Sequence, residues 1–253
     1  MPTAFSDPKF DSARPAPPPP SFDVWRCDPL IGEGLSIIEK HLPCRRQIVY
    51  PGQTIHSVGQ PFSNLHIVHS GLIKLLHFSQ DGRQQVVALR FKGDWLGFDG
   101  MADQQHTCEA VALDISEIWT VSYAAVLAAS QDHPAVLSAL HKAISEDMTG
   151  MQERFMSHCT LHADARVAEF LLQWSSSLAK RGLHPDQFRL RLSREEIGSY
   201  LGITLESVSR SISLLVREGL IGFHGKGRRD LKILGTEALA EFVEAGLTSA
   251  TEA

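Results

Sequence analysis

The segment Leu192–Gly235, LSREEIGSYLGITLESVSRSISLLVREGLIGFHGKGRRDLKILG, decides how this chain is read. Ser193-x-x-Glu196 has the spacing of a capping box, in which a hydroxyl and a carboxylate satisfy each other's free amides. It starts a helix that runs to about Leu201. The turn Gly202-Ile203-Thr204 follows, with Thr204 as N-cap of a second helix from Leu205 to about Glu218. At about 100° per residue, Leu205, Val208, Ile212, Leu215 and Val216 fall on one side of that helix. Glu206, Arg210, Ser213 and Arg217 fall on the other, with Ser209 beside them. A Gly-punctuated basic stretch from His224 to Arg229 reads as a hairpin tip. Two helices, a tight turn and a basic hairpin make a winged helix-turn-helix.

The polar side of the second helix carries chemistry that suits a base edge. Arg210 can bond bidentately to guanine, Glu206 can accept from cytosine N4, and Ser209 can meet a base or a phosphate. A carboxylate facing DNA is costly unless it meets a donor, so Glu206 makes better sense as a reader than as a general contact. The simpler alternative is a solvated i,i+4 ion pair with Arg210, worth about 0.3 kcal/mol. Thr204, Ser213, Arg217 and the wing cations Lys226, Arg228 and Arg229 are expected at phosphates. From Leu190 to Leu234 the chain has eight basic residues against five acidic ones, although its overall charge is −5. That local asymmetry fits a nucleic-acid module attached to an acidic partner domain.

Working outward, Ala165 to Lys180 reads as a helix, with Val167, Phe170, Leu171 and Trp174 inward and Gly182 near its end. Leu183 to Phe188 reads as a surface loop and Arg189 to Leu192 as a short strand. The stretch from Tyr123 to His158 is helical, with a long helix beginning at His133-Pro134, because Pro suits a first turn. In it Leu137, Leu140, Ile144, Met148, Met151 and Phe155 recur at threes and fours, a narrow seam. A helix buried within one protomer usually has a wider apolar stripe. The seam therefore predicts a dimerisation helix, with burial inside the protomer as the alternative.

Between Arg45 and Tyr123 the pattern is short β-prone runs broken by Gly, Pro, Asp and Asn. The expected strands are 47–50, 54–56, 64–69, 71–79, 84–92, 108–113 and 116–122, with Asp81-Gly82 as the strongest hairpin signal. Gly32 to Leu42 reads as a short helix. The Pro-rich start, including Pro17 to Pro20, cannot build a core. The expected class is α+β, with an antiparallel β-roll, a long dimerisation helix and a C-terminal winged helix-turn-helix. The expected divisions are a disordered tail over residues 1–25, the roll over 26–125, the dimerisation helix over 126–160 and the DNA-binding domain over 161–253.

These features resemble the CRP/FNR superfamily of bacterial transcription regulators. The resemblance runs from about residue 45 and rests on Gly71-Leu-Ile-Lys74, Gly93-Asp94-x-x-Gly97-Phe98, Ala165-Arg166-Val167-Ala168-x-Phe170 and Glu206-x-x-Ser209-Arg210. The last is similar to the reading signature of the FNR branch; the CRP branch carries an Arg where Leu205 stands. The resemblance implies a cyclic-nucleotide-binding-like roll, a homodimer, a palindrome near TTGAT-N4-ATCAA, and activation through RNA polymerase. Contacts to the polymerase would come from Asp81, Gly82 and Arg83 and from the 183–188 loop with His184 and Asp186.

The resemblance does not name a signal. No Arg lies between Arg90 and Arg154, so the Arg-Ser pair that holds a cyclic nucleotide's phosphate in such relatives is missing. Cys27, Cys44, Cys108 and Cys159 are too scattered for the cysteine group of an iron–sulfur cluster, a disulfide framework or a zinc ribbon. His66 and His69, three apart on one strand, point to opposite faces. His106 and Cys108 share a face and are the pair that would serve haem or another metal, although an isolated pair is more often structural. Cys159 is either a redox switch or an inert thiol.

The expectation is therefore no cofactor and no catalysis. A histidine-bearing jelly-roll metalloenzyme is the alternative from another class, but it needs a clustered His-x-His with a downstream Glu. No apolar run approaches the roughly 20 residues of a membrane span, and the first residues lack the basic-then-apolar order of a secretory signal, so a cytoplasmic protein is expected. The expected partners are double-stranded DNA, a second copy of the chain and RNA polymerase, without a membrane.

Overall fold

A computed structural model describes residues 28–79, 81–224 and 229–251, with the side chains after Leu247 left aside. The expectations for the tail, and for Cys27, Lys226 and Arg228, lie outside the described residues.

Helix α1 (Pro29–His41) is capped by the Asp28 side chain, which accepts from the Leu30 amide. Strands β1 (Arg45–Val49), β2 (Thr54–His56), β3 (Asn64–Ser70), β4 (Ile73–Phe78), β5 (Gln84–Arg90), β6 (Trp95–Leu96), β7 (Cys108–Ala112) and β8 (Ser116–Ser122) follow. They form two four-stranded antiparallel sheets, ordered β1-β8-β3-β6 and β2-β7-β4-β5. Val68, Ile73, Leu75, Ala88, Leu96, Ala110 and Ile118 fill the space between them. Asp81-Gly82 lies at the β4–β5 hairpin, where Gly82 takes a φ of 80° that favours glycine. Strand β6 escaped the sequence reading. It is two residues long and lies among the glycines of the 93–97 turn, so it carries no period of its own.

Helices α2 (Tyr123–Asp132) and α3 (Pro134–Thr160) follow, and α3 begins at Pro134 as its missing amide favours. Its start is part of the roll's second core, which joins Val136 and Leu140 to Leu35, Ile38, Trp95, Trp119 and Val126. This corrects one member of the seam. Leu140 is 3% exposed and belongs to the core of its own protomer, because α1 and α2 cover the first turns of α3. Ile144 also packs against that core, and Leu137 is half-buried. Further along, Met148, Met151 and Phe155 are 58%, 60% and 66% exposed.

The C-terminal part contains α4 (Ala163–Ala179), β9 (Gln187–Arg189), α5 (Arg194–Leu201), α6 (Leu205–Arg217), β10 (Ile221–His224), β11 (Asp230–Ile233) and α7 (Thr236–Thr251). Its sheet runs β10-β11-β9. The expected 183–188 loop is corrected at its end: Gln187 and Phe188 pair with β11, and Phe188 is buried. The aromatic ring needed a core, and the wing sheet supplied one.

The two parts share a core, since Leu72, Leu76 and Val86 of the roll lie in one cluster with Phe170, Trp174, Ile197 and Tyr200. Each large side chain so buried contributes about 1.5–3 kcal/mol. Polar links reinforce the contact. Lys74 pairs with Glu196, the Val86 amide donates to Ser199 Oγ at 2.9 Å, and Arg191 meets Asp114 at 2.7 Å. The buried Arg181 bonds Asp94 at 2.7 Å and the Lys92 carbonyl at 2.8 Å. Among the described residues no helix is long and apolar enough to cross a membrane.

Candidate nucleic-acid interface

Helix α5 carries the full capping box: Ser193 Oγ accepts from the Glu196 amide and Glu196 accepts from the Ser193 amide. It ends at Gly202, whose φ of 64° is left-handed. The turn to α6 then passes very close to α5. The Ile203 amide donates to the Gly198 carbonyl at 3.0 Å, and a Cβ on Gly198 would stand 2.6 Å from the Ile203 carbonyl oxygen. Only glycine lets the two backbones approach this far. Gly198 sets the angle between the helices, and the sequence reading passed over it.

Thr204 caps α6 by accepting from the Ser207 amide at 3.1 Å. Val208, Ser211, Ile212 and Leu215 are buried, and the Ser211 hydroxyl donates to Asp164 of α4. Leu205 and Val216, expected inward, are 44% and 42% exposed. They sit at the edges of a stripe that α4 and α5 are too narrow to cover.

Thr204, Glu206, Ser209, Arg210, Ser213 and Arg217 all face solvent along one side of α6. Arg210 Nη2 donates to Ser207 Oγ at 3.3 Å, and Ser213 Oγ donates back to the Ser209 carbonyl at 2.9 Å. Arg217 lies 3.5 Å from Glu218, and Glu206 is in no ion pair among the described residues. The alternative Glu206–Arg210 ion pair is thus absent among the described residues, and both heads are exposed to an incoming partner. Arg229 is exposed on the wing and lines a shallow hollow with Arg194, Ser209 and Ser213, so the wing and α6 border one surface.

Chain comparisons agree with this geometry. Residues 165–242 match the Crp-like helix-turn-helix domain and residues 46–133 the cyclic nucleotide-binding domain. The chain is 30% identical over 182 residues to the fumarate and nitrate reduction regulatory protein of Vibrio cholerae, covering 72% of this chain and 73% of that protein. The chain belongs to the CRP/FNR superfamily. It is similar also to the transcriptional regulatory protein btr of Bordetella pertussis, at 30% identity over 88% of this chain and 86% of that protein. Among solved structures, FixK2 of Bradyrhizobium japonicum superposes with a TM-score of 0.71 at 25% identity, covering 79% of this chain and 97% of that one. Within the CRP/FNR superfamily the chain is of the FNR-like branch, and it is a DNA-binding transcription regulator rather than an enzyme.

The other expected positions lie apart from this face. Asp81, Gly82 and Arg83 are exposed on the roll hairpin, with Arg83 paired to Asp81 at 2.7 Å. His184 is exposed and Asp186 half-buried, its carbonyl accepting from the Ile233 amide.

Between the roll and α3 lies a cavity of about 570 Å3, lined by Val86, Arg90, Cys108, Met151, Arg154 and Tyr200 among others. The sequence interval without arginine does not leave this cavity without a guanidinium, because Arg90 and Arg154, which flank that interval, both line it. Arg90 is held by Asp147 at 2.5 Å, so its charge is already answered.

His106 and Cys108 are not partners. Cys108 lines the cavity, whereas His106 is buried beside His56 and Asp99. His66, also buried, bonds Thr120 Oγ1 at 3.0 Å, while His69 pairs with Glu117 near the surface. Burial, with His106 nearby, lowers His56 to about 4, and burial lowers His66 to about 3.

Proposed function

We propose that two copies of the chain bind a palindrome of the TTGAT-N4-ATCAA type and activate transcription there. Glu206, Ser209 and Arg210 read bases, while Thr204, Ser213, Arg217 and the wing residues Lys226, Arg228 and Arg229 hold phosphates. The observation that carries this reading is the α6 face, where the carboxylate and guanidinium stand exposed and unpaired with each other beside a capped helix start. A solvated helix pair would have closed on itself; a reader keeps both groups for base edges.

Dimerisation through Met148, Met151 and Phe155 matches the two-fold symmetry of such a site, and it is supported by their exposure on one helix. The hairpin at Asp81, Gly82 and Arg83 and the region of His184 and Asp186 are the surfaces offered to RNA polymerase. Cyclic AMP is not the signal in this reading, which rests on the missing Arg-Ser pair between Arg90 and Arg154 and on Asp147 already holding Arg90.

Binding to the palindrome and to duplexes with one base pair changed tests the assignment. Arg210→Ala is expected to cost about 1–3 kcal/mol and to level the preference at one position per half-site. An unchanged base preference would remove Arg210 from the reading face.

A further inference from the structure

We infer that His56, Asp99 and His106 form a binding site for a divalent first-row transition-metal ion inside the β-roll. One nitrogen from each imidazole and one Asp99 oxygen lie within 4.8 Å of one another. Asp99 Oδ1 stands 3.5 Å from His106 Nδ1 and 4.0 Å from His56 Nε2. Metal–ligand bonds of 2.0–2.2 Å in a four-coordinate site put donor atoms roughly 3.3 Å apart, so closure asks for shifts of about an ångström per donor and for the imidazoles of His56 and His106 to rotate out of their stack until their lone pairs converge.

The donors are far apart in sequence and are brought together by backbone. The Gly59 amide donates to the His106 carbonyl at 2.8 Å and the His106 amide to the Gln60 carbonyl at 2.9 Å, which docks the segment before β7 against the end of β2. The two rings then stack at 4.0 Å, with 15° between their planes. Asp99 is positioned by its other oxygen: Oδ2 accepts from the amides of Thr107 and Cys108 at 2.8 and 3.0 Å. Ligating carboxylates are oriented in this way, with one oxygen held by backbone amides and the other turned to the imidazoles.

His56 supplies the independent observation. Its residue is 1% exposed, and neither ring nitrogen has a hydrogen-bond partner among the described residues. Leaving a buried polar nitrogen unsatisfied is destabilising, and a purely structural histidine would have found a carbonyl or a hydroxyl, as His66 finds Thr120. A metal ion satisfies one nitrogen and uses its lone pair. Two nitrogens and one carboxylate oxygen suit zinc or iron(II), with the remaining coordination open to water or a small molecule. Asp99 also lines the large cavity, which gives the ion its route in.

Full-length protein stripped with a chelator and titrated with Co2+ tests the site. One Co2+ per chain is expected, with visible d–d bands, no thiolate charge-transfer band, and displacement by Zn2+. Asp99→Asn and His106→Gln should each lower Co2+ affinity by at least about 100-fold, more than the loss usual when a residue that only orients a ligand is changed. Cys108→Ser should leave it unchanged. Asp99→Asn keeps the side chain's shape and an oxygen for the two amides, so it decides the matter if His106→Gln does not fold. Absence of saturable Co2+ uptake by folded wild-type protein, or uptake that survives Asp99→Asn, would overturn the site. Neither result involves DNA, so the site stands or falls apart from the base-reading assignment.

Discussion

At the scale of single residues, Gly198 shows how little side chain the DNA-binding module tolerates at its turn. A Cβ there meets a backbone oxygen rather than the movable end of a side chain. Gly198→Ala is expected to cost about 1–3 kcal/mol, the usual range for overpacking, and to weaken DNA binding by tilting α6. Thermal denaturation and affinity for the palindrome check both; a stable variant with full affinity would show that the turn gives way cheaply. The polar face of α6 was legible residue by residue, because one helical period separates inner from outer positions. The surroundings of His106 were not legible. Its partners come from a different strand and from a short turn at Asp99, and no local period links them.

At the scale of elements, α5 has only eight residues and relies on its cap. Glu196 serves that cap and also reaches Lys74 of β4, so one carboxylate starts the helix and ties it to the roll. Ser193→Ala should cost about 1 kcal/mol, and Glu196→Ala more, since it also leaves the largely buried Lys74 ammonium without its partner. Burial pushes the Glu196 carboxyl up, yet bonds from Lys74 and the Ser193 amide outweigh it and hold the group below its ordinary 4.5. Stability from this group is complete above 4.5 and fades as pH falls through the lowered native value. Melting temperatures followed from neutral into acid should therefore show less acid destabilisation in Glu196→Gln than in wild type. Parallel curves for the two would mean that Glu196 carries none of the effect. The capping box itself was plain from spacing, but its second partner was not, because Lys74 lies on a different part of the chain.

At the scale of the whole molecule, three of the four stretches that carried the family resemblance turn out to hold parts together. Lys74 meets Glu196, Asp94 meets Arg181, and Arg166 donates to the carbonyls of His158, Leu161 and Leu201, joining the end of α3 to α4 and α5. The fourth, Glu206-x-x-Ser209-Arg210, is exposed. The end of α3 is thus tied through Arg166 to α5, which packs against the helix carrying the reading face. If copies pair through the exposed apolar surface of α3 as proposed, Met151→Asp should weaken self-association by placing a charge in it. Sedimentation velocity measures it, and an unaltered dimer would remove the exposed half of α3 from the interface.

Features that repeat over neighbouring residues are legible without the fold. The roll's strands other than β6, the start of α3 at Pro134, the capped helices and the polar face of α6 all follow from spacing and turn chemistry. Which apolar residues lie inside was settled by packing between elements. Leu140 went to the protomer's core and Leu205 and Val216 to the surface, because burial depends on what an opposing element covers and not on the residue's own periodicity. The tertiary structure also decided that His106 meets His56 and Asp99 rather than Cys108. Side-chain pairs across sheets are set by strand register and loop docking, and those are properties of the folded chain alone.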